Sequence, residues 1–167
     1  MPNAPDQLFD ALLDSWDRNN TILVNLLRAL PDGALEIRAM PESPSLAELF
    51  THINFVRLVF ISEDAPEFAR ELPNKEWASE RDPERVARML HESATAVRDA
   101  VRSKVLTGGE MHLHYDHPIL FMQHMIWHEG YHHGQIKLAL KLAGHPLSDD
   151  AAGPVTWDVW MNKTKRD

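Results

Sequence analysis

Two histidines four residues apart, in the string His128–Glu129–Gly130–Tyr131–His132, carry the strongest chemical signal in the chain. On a helix, positions i and i+4 lie one turn apart on the same face, so both imidazoles project the same way. Phe121, Met125, Ile136 and Ala139 share that face, which makes it the inward one. Burying two imidazoles among apolar side chains costs free energy unless each ring is hydrogen-bonded or ligated. A metal ion offsets that cost, while each ring's second nitrogen fixes the tautomer. The competing reading is a pair of hydrogen-bonded or half-exposed histidines with no ion. His52 lies beside Leu49 and Ile53 at the edge of an earlier apolar stripe. Alone it reads as a boundary histidine; with the pair it becomes the third ligand of a facial set with open positions, the arrangement of a catalytic rather than a closed site.

The same string satisfies H-E-x-x-H, the metalloprotease pattern in which the glutamate is the base. The extended pattern fails, because Gln135 and Leu138 stand where a glycine and a third histidine would be. No strand is expected that could hold an extended peptide, so peptide hydrolysis is disfavoured. Glu129 remains the one candidate base. Of the other histidines, His91 reads as surface or cavity edge, and His112, His114 and His117 fall in a loop that could rim the site. His124, His133 and His145 point off the ligand face and read as surface residues.

Composition narrows the chemistry. With no cysteine, disulfides, thiolate catalysis and Cys-held metal clusters are excluded, so any ion must be held by His, Asp or Glu. A net charge of −8 with scattered basic residues argues against a nucleic-acid footprint. The N-terminal residues lack a signal-peptide pattern and no apolar run is long enough to span a bilayer, so a cytoplasmic, soluble protein is expected.

The elements that must position these residues are helices. A first helix over about 6–30 follows Leu8, Leu12, Trp16, Leu23, Leu26, Leu27 and Leu30, and stops at Pro31, Asp32 and Gly33. Its seam is interrupted by Asn19 and Asn20, amides that are unfavourable in mid-helix and therefore either solvent-facing or useful. Ala34 to Met40 reads as short and irregular. Ser45–Leu46–Ala47–Glu48 is a capping box that opens a second helix. Its core stripe is Leu49, Ile53, Val56 and Phe60, and it ends near Asp64 and Pro66. A long polar connection over 65–82 carries Trp77, expected to anchor it or to line a pocket mouth. Pro83 opens a third helix with Val86, Leu90, Val97, Val101 and Val105 inward, closed by Gly108 and Gly109. Pro118 opens a fourth that runs to about Ala143, with Leu142 added to its apolar side. Trp157 and Trp160 suggest a short helix in the tail. Four substantial helices and one long crossover describe a single all-α domain over 1–167, a four-helix bundle whose core can host a metal.

The chain resembles the DinB/YfiT-like family of small helical-bundle proteins. The resemblance rests on Leu49–Phe50–Thr51–His52–Ile53, on Met125–Ile126–Trp127–His128 with Tyr131–His132–His133–Gly134–Gln135–Ile136, and on the order and length of the helices. It covers most of the chain, and His-x-x-x-His-x-Gly-Gln is its specific part. It implies an up-up-down-down-like bundle, commonly a homodimer, with zinc or nickel held by His52, His128 and His132. It also implies thiol-dependent chemistry, as in thiol S-transferases and isomerases of the family. His133 stands where the family usually has arginine, which removes a positive charge.

The functional expectation is a divalent-metal-dependent S-transferase or hydrolase acting on small molecules, with a low-molecular-weight thiol as possible cosubstrate. His52, His128 and His132 hold the ion, Glu129 assists proton transfer, and Trp16, Asn19 and Asn20 contact substrate. The rival is a non-catalytic, metal- or ligand-binding stress-related protein.

Overall fold

The computed structural model describes residues 4–161. Four long helices form its body: α1 (Ala4–Arg28), α2 (Leu46–Asp64), α3 (Pro83–Thr107) and α4 (Pro118–Leu142). Two short ones follow, α5 (Asp149–Val155) and α6 (Trp157–Met161). There is no strand among the described residues, only an isolated bridge between Arg38 and Ser45 beside a 3-10 turn at Ala34–Glu36.

Local chemistry sets the boundaries. At α2 the capping box is complete: Glu48 N–H donates to Ser45 Oγ at 3.2 Å and Ser45 N–H donates to Glu48 Oε2 at 2.7 Å. Asp82 caps α3 ahead of Pro83, and Gly108, at φ 66°, ends it in the left-handed conformation that glycine adopts without strain. His117 caps α4 through its own ring, accepting from Ile119 N–H.

Helix α3 packs on both α1 and α2, and α4 packs on all three of the other long helices. The core has two lobes. One joins Leu23, Leu26 and Leu27 of α1 to Leu46, Phe50 and Ile53 of α2 and to Ile136 and Leu140 of α4. The other joins Leu13 and Trp16 to Ile61, Val97, Val101, Phe121 and Met125. Connection 65–82 is the long crossover expected from sequence, running from α2 to α3.

Several expectations need correction. Leu8 and Leu142 are exposed, because the apolar pattern runs past the turns that have a neighbour to pack on. In α2, Val56 and Phe60 are only half-buried, and the inward stripe is Leu49, Ile53, Arg57, Ile61 and Asp64, so the helix turns a guanidinium and a carboxylate into the protein. His124 and His133 are half-buried rather than on the surface. Trp157 and Trp160 do lie on the short helix α6, which is tied to α1 by Arg18 through the backbone carbonyls of Val159 and Trp160.

Candidate metal centre

Helices α2 and α4 bring His52, His128 and His132 together, with one ring nitrogen from each lying within 4.8 Å of the others. His128 Nε2 stands 3.3 Å from His52 Nε2 and 3.0 Å from His132 Nε2. Imidazoles at about 2.0–2.1 Å from one ion place neighbouring nitrogens roughly 3.0–3.4 Å apart, so the spacing is that of a shared ion. His52 and His132 are buried and His128 is half-buried, which sets the cluster just under the surface.

The outer nitrogens decide the tautomers. His132 Nδ1 donates to Gln135 Oε1 at 2.7 Å, leaving a lone pair on Nε2. Glu76 Oε1 stands 3.0 Å from His52 Nδ1 but off the line of a ring N–H, so that buried nitrogen has no hydrogen bond. A carboxylate at this range still favours the proton on Nδ1 and a second lone pair on His52 Nε2. His128 Nε2 can offer one proton to these two lone pairs, so the set is short of a donor that a cation would replace. Burial lowers the His52 pKa to about 4 and the His128 pKa to about 3, with a second contribution from the neighbouring rings, and burial also lowers that of His132. All three are neutral at physiological pH, the form that ligates metal.

Trp77 lies flat on His52, with ring centroids 3.9 Å apart and planes 3° from parallel. Next to it, Ala78 C=O accepts from Thr51 Oγ1. The crossover is therefore pinned at the ligand itself, which settles where the expected Trp77 anchor falls.

Beneath the histidines, Arg57 is fully buried and forms a two-pronged ion pair with Glu129: Nε to Oε1 at 2.6 Å and a terminal nitrogen to Oε2 at 2.8 Å. Its other terminal nitrogen donates to Leu90 C=O, Asn20 Oδ1 and Ser93 Oγ. Its guanidinium sits 4.9 Å from the ring centroid of Trp16, whose indole N–H donates to Ala94 C=O. Asn19 Nδ2 reaches Glu129 Oε2 at 2.5 Å. The sequence-predicted residues Trp16, Asn19, Asn20 and Glu129 thus meet around Arg57, a residue sequence reasoning did not single out. Its signal was present, since Arg57 falls on the helical repeat of Ile53 and Ile61.

These residues lie over nearly the whole chain inside one recognised pattern: the DinB family model matches residues 1–154. The chain belongs to the DinB family. No curated protein and no solved structure matches it. The His-only cluster of this DinB-family protein is able to coordinate a metal ion, and among the described residues no helix is long and apolar enough to cross a membrane.

Other histidines do not join the cluster. His112, His114 and His117 do not rim it. Asp64 binds their loop, accepting from the N–H groups of Leu113 and His114 and from the His114 ring, and from its backbone carbonyl it accepts His112 N–H. Asp64 is twelve residues along α2 from His52, about 18 Å at helical rise. His91 borders two cavities, of about 370 and 790 Å³, neither lined by the three histidines. His133 borders a third, of about 290 Å³, with Asn19, Glu129, Lys137, Trp157 and Trp160.

Proposed function

We propose that this protein is a divalent-metal-dependent enzyme of small-molecule chemistry, an S-transferase or hydrolase, in which His52, His128 and His132 hold zinc or nickel. The observation that carries this reading is the convergence of three neutral Nε2 atoms at ligand spacing with too few protons among them. When bound, the ion supplies Lewis acidity that brings a thiol or water close to deprotonation at neutral pH. The chain has no cysteine, so a thiol nucleophile arrives as a low-molecular-weight cosubstrate.

The chain's own residues hold the ligands. Gln135 fixes the His132 tautomer, while Trp77 stacks on the His52 ring and the Glu76 carboxylate stands beside its Nδ1. The Arg57–Glu129 pair ties α2 to α4, one residue from His128 and five from His52. Both Glu129 oxygens are occupied by Arg57 and Asn19, so we assign Glu129 to positioning rather than to proton transfer. Trp16 and Asn20 are assigned to support of Arg57 in place of substrate contact, and Asn19 keeps its assignment to small-molecule contact through the cavity it borders. The reading places the protein in the cytoplasm, as a homodimer, acting on small molecules without nucleic acid.

One observation favours the rival, a metal- or ligand-binding stress-related protein without turnover: a cavity of about 790 Å³ shares none of the three histidines. Elemental analysis of untagged protein, followed by assays of metal-free and metal-loaded forms with thiols plus electrophiles, esters and amides, separates the two. Metal-dependent turnover supports the enzyme. Full loading with no turnover across the panel supports the rival, and under about 0.1 ion per chain after addition of zinc or nickel rejects the site.

A further inference from the structure

Ile126, Gly130, His133 and Lys137 recur at helical spacings along α4 and form one stripe. At about 100° per residue it lies roughly 150° round the helix from the His128–His132 pair, nearly on the opposite side. With α1 and with Trp157 and Trp160 of α6, the stripe lines a cavity of about 290 Å³. Helix α6 is held there from α1, by Arg18 through the carbonyls of Val159 and Trp160, and just ahead of it by Asn25 through that of Val155. Gly153 lets Trp157 settle: a Cβ there would stand 3.2–3.3 Å from the indole, so the ring lies against bare backbone. Neither indole is spent on the core, since Trp157 stays 40% and Trp160 45% exposed.

The polar groups of the wall lean one way. Its one carboxylate is Glu129, whose two oxygens are already taken by Arg57 and Asn19. The Lys137 ammonium has no carboxylate partner among the described residues and sits 5.7 Å from the centre of the Trp157 ring. Neither indole N–H has an acceptor there. In the same wall His133 Nε2 is buried without a hydrogen bond, a rare condition that marks a place for a partner from outside the chain. The cavity therefore offers one positive charge and unpaired donors beside two indoles and the apolar side chains of Ile22 and Ile126. One negative charge at the end of a flat apolar body satisfies both halves; a phosphate would leave the indoles unused and lack a second cation. Gly130 leaves the room, because a Cβ built on it would meet nothing within 4 Å, although glycine is unfavourable in mid-helix.

We propose that the cavity between α1, α4 and α6 binds a small aromatic carboxylate, its charge on Lys137 and its ring against Trp157 and Trp160. This names a ligand class for the cavity that Asn19 borders and rests on neither the metal nor turnover.

Titration calorimetry and ligand-observed NMR on the full chain test it, with benzoate and cinnamate set against their uncharged amides. A dissociation constant of about 1 mM or tighter is expected for at least one acid, with its amide at least about 10-fold weaker. Lys137→Gln should weaken the acid at least about 10-fold and leave the amide unchanged. Gly130→Leu sends a side chain into the open space and improves helix propensity, so binding should be lost while stability to urea holds or rises. His132→Ala, which removes a candidate metal ligand, should leave the acid bound as before. No binding of either acid up to about 10 mM overturns the proposal, as does equal affinity for acid and amide. Binding that either Lys137→Gln or folded Gly130→Leu leaves unmoved, or that His132→Ala abolishes, places the acid elsewhere and overturns it too. Should Gly130→Leu fail to fold, Lys137→Gln and the comparison of acid with amide decide alone.

Discussion

Removing the carboxylate from Glu129 separates positioning from proton transfer. Arg57 has no exposure, and Glu129→Gln leaves its charge with Asn20, Ser93 and the Leu90 carbonyl but without a counter-ion. Breaking a buried pair from one side costs about 3–5 kcal/mol, mostly the penalty of the charge left behind. For a chain of 167 residues, where about 1 kcal/mol moves the midpoint by roughly 2–4 °C, the expected loss is on the order of 6–20 °C in Tm. Removing both charges is far milder: Arg57→Leu with Glu129→Leu should recover most of that loss, because apolar replacement of a buried pair is often close to neutral. Urea and thermal unfolding of the wild type, both single variants and the double variant give the coupling energy directly. Metal content read alongside should stay near wild type in Glu129→Gln below its midpoint, since the three histidines are untouched. If Glu129→Gln unfolds within about 1 kcal/mol of wild type while turnover falls more than about 100-fold, the positioning assignment is refuted and Glu129 is the base.

Other outcomes follow from the same geometry. Glu76→Ala, which removes the carboxylate beside His52 Nδ1, should weaken zinc or nickel binding about 10–100-fold by competition titration; unchanged affinity would show that the crossover does not help orient the ligand. His132→Ala should abolish stoichiometric metal uptake, read by elemental analysis, while the helical content stays. The metal-free protein should lose stability as pH falls below the ordinary histidine range. With folded pKa values of about 4 for His52 and about 3 for His128, the unfolded chain takes up protons first, so stability is full above about pH 6.5 and declines down to about pH 3. Urea midpoints that stay flat over that interval would contradict the burial argument. Asp64→Ala should cost about 1–3 kcal/mol and loosen the 111–117 loop, visible as faster amide exchange at Leu113 and His114, whose N–H groups it accepts.

Much of the fold is legible in the sequence because its punctuation is local. Ser45 with Glu48, Asp82 with Pro83, Gly108 and His117 with Pro118 each act within one helical turn, and each boundary falls where those residues put it. The His128 and His132 pairing is equally local. What a single sequence cannot carry is which polar residue another helix will satisfy. Asn19 and Asn20 stand out as interruptions of an apolar seam, but their partners, Glu129 and Arg57, are 110 and 37 residues away. Arg57 occupies a core position on α2, where its residue type points to the surface, because arginine is ordinarily exposed. Glu76 and Trp77 belong to a stretch with no periodicity, so their approach to His52 is set by the path of the crossover alone.

Ligands drawn from two helices have a consequence for folding itself. His52 and His128 are 76 residues apart in the chain, so an ion shared between them acts as a reversible cross-link between the second and fourth helices. The unfolded chain holds no such preformed set, and whatever binds the native state alone stabilises it by mass action, about 2.7 kcal/mol when free metal exceeds its dissociation constant a hundredfold. A cell short of the ion would then hold a less stable population of this protein, and its abundance would follow metal supply.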